Sequence, residues 1–291
     1  MTAAQREGGF RPYPEYKDSG VEWLGEIPAH WNSLALSRVT RSRCDGPFGS
    51  GLKSDHYSRE GVRVIRLQNI GSTGFLDGDR AFIDETYARK LGDHGVIADD
   101  ILIAGLGDEG HPVGRACVAP HGIEPAMVKA DCFRFRVDRR RVVPRFAAYQ
   151  LSATALASAG SLATGATRSR MNLTATASRK VALPSPDEQL AIAAFLDRET
   201  ARIDALVAKK ERLIELFQEQ RTALVTHAVT KGLDPNVRMK DSGVEWLGAV
   251  PADWKVLRLK EMVTDIEQGW SPLCENRQAD EGEWACSKSV A

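Results

Sequence analysis

The sequence predicts an α+β protein: a mixed domain built on a curved sheet, then one long coiled-coil-like helix, then the partial start of a second copy of the first domain. Three observations carry that reading. Residues 31–185 alternate short apolar runs with turns marked by glycine and proline, and the stretch that follows Pro186 runs to Lys231 with neither residue. The nine letters KDSGVEWLG stand at 17–25 and again at 240–248.

The repeat is longer than nine letters. KDSGVEWLGEIPAHW (17–31) and KDSGVEWLGAVPADW (240–254) agree at twelve of fifteen positions, 223 residues apart. Solenoids and propellers repeat every 20 to 50 residues, so the object repeated here is about domain-sized. The peptide reads as the opening segment of that domain, in residues 1–30 and again, after a linker, in 233–254. Only about fifty residues run from the start of the second copy to Ala291, too few to bury a core of their own, and 255–291 reads as a truncated second domain.

Within 31–185 the runs GVRVIRLQNI, GFLDGDRAFI, GVIADDILIAGLG, GRACVAP and DCFRFRVDRRRVV are rich in β-branched and aromatic residues. Bounded by Gly, Asp and Pro, they read as strands. Arg134 and Arg136 alternate with Phe133 and Phe135, which puts the arginines on the wet face of a strand. PRFAAYQLSATALASAG has no breaker after Pro144 and reads as a helix with proline in its first turn.

At Pro186 the period changes to that of a helix. Ser185 or Asp187 caps the start, and Lys231 with Gly232 marks the end. About 44 uninterrupted residues make a helix of roughly 65 Å. Leu196, Ile203, Phe217 and Leu224 share one heptad position, interrupted by Lys210, and Leu206 and Leu213 fall three residues later. Val207 and Ile214 widen the stripe. A stripe of that width predicts antiparallel packing on a second long helix, from another copy or another chain.

The formal net charge of zero is unevenly spread. Residues 31–185 hold 22 Lys+Arg against 15 Asp+Glu, whereas 186–291 hold 14 against 19. Clustered basic residues are the footprint of a polyanion partner. The five cysteines contain no C-x-x-C pair and fit reduced thiols. There is no apolar run of membrane-spanning length and no charged-then-apolar leader, which predicts a cytoplasmic protein.

Motifs for chemistry are missing. Gly105, Gly107 and Gly110 have G-x-G-x-x-G spacing, but Pro112 and Gly114 fall where a dinucleotide site needs a helix, so the segment reads as a loop between strands. The chain has no Walker sequence, no H-E-x-x-H, no paired metal-ligand spacing and no G-x-S-x-G elbow. No catalytic residue, metal or cofactor is predicted, and the chain reads as a recognition protein.

The loops suit nucleic acid. GPFGSGLKSD offers glycine-freed amides with Ser50 and Lys53. IRLQNIGS places Arg66, Gln68 and Asn69 at a strand end, side chains able to pair with guanine or adenine edges. FRFRVDRRRVVPR is arginine-rich, and TGATRSRMN brings Thr167, Arg168, Arg170 and Asn172. Arg115 completes the candidate set.

In order and spacing these pieces resemble the specificity (S) subunit of type I restriction-modification enzymes. The likeness is carried by YKDSGVEWLGEIPAHW, by GPFGSGLKSDHY with GVRVIRLQNIG, by GATRSRMN followed by LPSPDEQLAIAAFLDRETARIDALVAKKERL and its continuation, and by the second opening peptide. It spans nearly all of residues 13–291. The resemblance implies a target-recognition domain at 31–185, a spacer helix at 186–232 and the start of a second recognition domain at 255–291. In that family two such domains each read half of a split site in double-stranded DNA, and an antiparallel helix pair sets the gap. The implied partners are modification subunits, which methylate adenine with S-adenosylmethionine, and through them ATP-driven restriction subunits. One complete domain departs from the family's two, and half-subunits of the family pair as homodimers through their helices. The alternative is a remnant that no longer binds DNA and acts only as a helix-mediated interaction protein.

Overall fold

The computed structural model describes residues 12–21, 24–48, 51–108, 110–157 and 169–265. The chain divides into two compact units, Met1–Val207 and Ala208–Ala291.

The first unit opens with a hairpin of β1 (Tyr16–Asp18) and β2 (Glu26–Pro28), followed by β3 (Asn32–Ala35) and β4 (Thr40–Cys44). Next come β5 (Tyr57–Ser58), β6 (Val62–Ile65), β7 (Phe82–Ile83), helix α1 (Glu85–Leu91) and β8 (Gly95–Val96). The chain continues through β9 (Ile101–Ala104), β10 (Ala116–Val118), β11 (Ala126–Val128) and β12 (Cys132–Val137). Helices α2 (Pro144–Ala157) and α3 (Leu173–Ser178) then lead to β13 (Lys180–Leu183) and the long helix α4 (Pro186–Lys231).

The mixed α+β domain is built on two main sheets. A four-stranded sheet has the order β10-β9-β12-β4, and a five-stranded one has the order β5-β7-β6-β11-β8, with β11 parallel to β6. The period of two along β9 shows how they stack. Ile101 and Ile103 enter a core with Phe133, Phe135, Ala147, Leu151 and Val181, while Leu102 and Ala104 enter a second core with Ile65, Val128 and Cys132. The four-stranded sheet is therefore covered by α2 and the β3–β13 pair on one face and by the five-stranded sheet on the other. A strand covered on both faces is apolar throughout, as ILIA in β9 is.

That double cover corrects the reading of β12. Arg134 is 2% exposed and donates to Ser42 Oγ at 2.6 Å. Arg136, one register further, is clamped to the buried carboxylate of Asp100 at 2.9 and 2.8 Å. The alternation of Arg and Phe is real, but the arginine face is an interior at Arg134 and half-buried at Arg136.

Helix α4 starts as expected. The Ser185 hydroxyl accepts from Glu188 N at 3.3 Å, and Asp187 and Glu188 complement the helix dipole in the first turn. Gln189 is fully buried and joins three segments: its Oε1 accepts from Val143 N at 2.8 Å, and its Nε2 donates to Arg141 O and Pro184 O at 3.0 Å each. Arg145 and Tyr149 of α2 both reach Asp197 at 2.7 Å. From 201 to 227 every residue of the helix is exposed, including Ile203, Leu206, Leu213, Phe217 and Leu224 of the predicted stripe; Leu196 is half-buried.

In the second unit α4 ends at Lys231, and Gly232, at φ +81°, donates back to Ala228 O at 3.2 Å. Strands β14 (Met239–Asp241) and β15 (Ala249–Pro251) form a hairpin whose register repeats that of the first. Tyr16 faces Pro28 and Asp18 faces Glu26 in the first copy; Met239 faces Pro251 and Asp241 faces Ala249 in the second. Gly20 and Gly243 hold the same left-handed turn, at φ +70° and +69°, each donating to the aspartate two residues earlier. The repeat is thus a local folding unit written twice.

Gln189→Leu keeps the bulk and removes the three hydrogen bonds. Chemical denaturation should show a loss of about 2–4 kcal/mol, because backbone groups are left buried and unpaired. A loss below about 0.5 kcal/mol would mean that those groups find water instead.

Candidate nucleic-acid interface

The loops singled out in the sequence converge on one turn. Asp131, at φ +63°, ends the connection from β11 to β12. Its N–H donates to Asp45 Oδ1 at 2.9 Å, its carbonyl accepts from Gly105 N at 2.7 Å, and its carboxylate pairs with Arg170 at 2.9 Å. One residue therefore binds the loop after β4, the glycine loop after β9 and the segment before α3.

Glycine is required at these approaches. A Cβ on Gly46 would lie 2.1 Å from the Lys129 carbonyl carbon, and one on Gly107 would lie 2.4 Å from Val113 N. The reading of Gly105 to Gly110 as a loop between strands holds, since it joins the antiparallel strands β9 and β10. The loop also pairs with the 169–171 segment: Gly107 N donates to Ser169 O at 2.9 Å, and Met171 N donates to Gly105 O at 2.8 Å.

The turn after β6 is positioned by buried polar groups. Asn69 is fully buried; its Oδ1 accepts from Arg66 N at 2.9 Å and its Nδ2 donates to Leu76 O and Asp79 O at 2.9 and 2.8 Å. Arg115, 4% exposed, donates to Ile70 O at 2.7 Å, Leu67 O at 3.0 Å and Leu106 O at 3.1 Å. Burial pulls its pKa below the usual guanidinium value. Neither residue presents a free polar edge to a ligand, so both are corrected from candidate contacts to braces that hold the loops. Asn172 is exposed but caps α3, accepting from Ala175 N at 2.7 Å.

The remaining candidates face outward. Gln68 and Lys53 are exposed. Arg66 forms a two-pronged pair with Asp79, with Nε to Oδ2 at 2.7 Å, and its guanidinium lies 5.9 Å from the Tyr57 ring. The Lys129 ammonium lies 5.7 Å from the same ring. Lys129, Tyr57, Asp45 and Asp131 were not among the sequence candidates, because each stands isolated in the chain. Ser50, Thr167 and Arg168 lie outside the described residues.

Fold and site together define a class: a layered domain that gathers glycine-freed loops and basic side chains around one turn and continues into a long, exposed helix. The chain is similar to specificity subunits of type I restriction enzymes. It is 23% identical over 233 residues to the StySPI specificity subunit of Salmonella potsdam, covering 79% of this chain and 50% of that protein. It is 33% identical over 101 residues to the MjaVIII specificity subunit of Methanocaldococcus jannaschii, covering 33% of this chain and 22% of the relative. A chain from a solved type I restriction-modification system shares the fold, with a TM-score of 0.56 and 16% identity over 75% of this chain and 49% of that one. No protein-family model matches. The chain spans about half the length of the curated relatives that it matches most fully.

Asp45 gives the site a pH dependence. Burial raises its pKa to about 6, against the pull of the Gly46 and Asp131 N–H groups. The folded chain therefore holds a proton between about pH 4 and pH 6 that the unfolded chain has released, so this group's contribution to stability increases as pH falls through that window. Above pH 6 the ionised carboxylate is a cost. Asp45→Asn keeps the acceptor oxygen and should melt at a higher temperature than wild type at pH 7.5, with the difference narrowing towards pH 4. If wild type melts higher at pH 7.5 and loses its advantage on acidification, the assigned direction is wrong.

Proposed function

We propose that this chain is a non-catalytic DNA-recognition component of a type I restriction-modification assembly, acting in the cytoplasm. Residues 31–185 form a target-recognition domain that reads one half of a split site in double-stranded DNA. Helix α4 is the spacer on which modification subunits dock, and restriction subunits join through them. The segment 233–254 opens a second recognition domain, of which 255–291 is the beginning. Pairing of two copies through α4 brings two recognition domains together.

The convergence of three loops on the Lys129–Asp131 turn supports this reading most strongly. Arg66 and Lys129 lie over the same Tyr57 ring, Arg170 pairs with Asp131, and Lys53 and Gln68 are exposed. The cations suit phosphates and Gln68 suits an adenine edge. Arg66 and Arg170 already hold carboxylates, so DNA binding exchanges each ion pair for a phosphate or base contact. The second reading, a helix-mediated interaction protein without DNA binding, is favoured by those same ion pairs, which leave fewer free cations than the sequence implies.

Salt titration separates the two. Duplex affinity of the chain, in complex with a modification subunit, should fall steeply with salt, and Lys129→Ala should reduce the slope of log K against log salt by about one. Gln68→Ala should relax sequence preference by about 1–3 kcal/mol while leaving that slope unchanged. A salt-independent, sequence-blind association would leave the interaction-protein reading standing.

A further inference from the structure

The arginine-rich stretch at the end of β12 takes no part in the loops around Asp131, because the strand itself separates the two. Strand β12 follows Asp131 and ends six residues later, before Asp138, a rise of about 20 Å. The antiparallel neighbours keep the same polarity. Val137 faces Thr40 at the start of β4, and Val118 at the end of β10 faces Ile101 at the start of β9. The four-stranded sheet thus has two ends: the candidate recognition loops leave one, and arginines gather at the other.

Two cavities open at the arginine end. The first, of about 420 Å³, is lined by Arg41, Arg136, Arg139 and Arg140 against Asp99 and Asp100. Asp100 is 1% exposed and is taken by Arg136. Arg139 pairs with Asp99 at 2.8 Å and Arg41 with Asp138 at 2.7 Å, whereas the exposed Arg140 guanidinium enters no ion pair among the described residues. The second cavity, of about 640 Å³, has walls that include Phe75, Val118, Pro120, Val143, Pro186 and Leu190. Asp99 and Arg139 line both, so their ion pair is the partition. With Arg139 68% exposed, that partition is a weak surface pair. Each cavity also holds a large apolar side chain that folding leaves uncovered, Ile97 at 41% exposed in the first and Leu190 at 55% in the second.

The first turn of α4 beside the cleft presents the positive end of the helix dipole. Its Glu188 is turned to the opening hairpin, where it pairs with His30 at 3.1 Å and accepts from Tyr13 and from Trp31 Nε1, the latter at 3.2 Å. An arginine cavity joined to an apolar cleft suits an extended peptide that carries both carboxylates and an apolar side chain. Guanidinium groups hold carboxylates two-pronged, and arginine is enriched at protein–protein interfaces. A duplex would use the arginines and leave the apolar walls bare, since protein–DNA interfaces are the more polar kind. We propose that this end of the first unit docks an acidic, extended segment of a partner protein, its apolar anchor beside Leu190 and its carboxylates on Arg41, Arg139 and Arg140. The site is thirteen residues along α4 from Ile203, about 20 Å of helix, and lies at the far end of β12 from the Asp131 turn. A segment docked there leaves both the exposed stripe and the recognition loops open, so the proposal does not depend on DNA binding.

Panning a phage-displayed library of linear peptides against the whole chain tests it. The selected peptides should combine runs of Asp or Glu with a Leu, Ile or aromatic residue. A fluorescein-labelled synthetic copy of the consensus should bind the purified chain by anisotropy. Arg140→Glu and Leu190→Glu, both at exposed side chains, should each weaken that binding by about tenfold or more, and Arg140→Glu should leave duplex affinity unchanged. An empty selection, a consensus without acidic residues, or binding that survives both substitutions would overturn the proposal. Sensitivity to Arg140→Glu without sensitivity to Leu190→Glu would reduce the contact to bare charge and overturn the docked geometry. Loss of duplex affinity in Arg140→Glu would assign the arginines to nucleic acid and overturn it as well.

Discussion

Covering the four-stranded sheet on both faces is the constraint from which the rest of the first unit follows. Strands β9 and β12 have no wet side, so every polar group at their ends must be satisfied by the loops that leave them. Arg115 meets this demand by donating to three loop carbonyls, and Asn69 by using both ends of its amide. Asp131 does so with its N–H, its carbonyl and its carboxylate. These loops are therefore tied to the sheets by hydrogen bonds and an ion pair. A recognition surface needs such rigidity, since a loop ordered only on binding would lose affinity to its own entropy.

The two opening hairpins separate what a local sequence dictates from what its surroundings add. Glycines at the same two turn positions and the same aspartate and serine contacts reproduce the register in both copies. The anchoring differs. In the first copy Tyr13, His30 and Trp31 surround a carboxylate; the corresponding positions of the second copy hold Asn236, Asp253 and Trp254, and there Lys231 donates to the Leu247 and Ala249 carbonyls. The hairpin is a module; of those three positions Tyr13/Asn236 and His30/Asp253 differ while the tryptophan is kept, and the contacts to the helix differ with them.

Much of this was legible in the sequence, for identifiable reasons. Strand and helix positions followed from runs of β-branched residues and from the breaker-free stretch after Pro186, both local signals. The glycine loop between β9 and β10 was legible because Pro112 and Gly114 exclude a helix. Burial of charge was not. Arg134, Arg115 and Asn69 look like surface residues in any local window, and only the stacking of one sheet on another, a long-range event, puts them inside. Lys129 and Asp131 were missed for the converse reason. They sit in a short, unremarkable turn, and their importance comes from the three loops that the fold brings to it.

Helix α4 sets the remaining problem. Its capped first turns are secured by Gln189, Ala193 and the Asp197 contacts, and beyond them no residue from 201 to 227 is buried. Ion pairs such as Arg212–Glu215, exposed on both sides, add only about 0.3–0.5 kcal/mol each. By contrast, burying a Leu, Ile or Phe side chain is worth about 1.5–3 kcal/mol. Ile203, Leu206, Leu213, Ile214, Phe217 and Leu224 each keep 40% or more of their surface open. Six such side chains on one face outweigh the ion pairs several-fold. The free energy that fixes the second half of this helix thus comes from whatever covers the stripe.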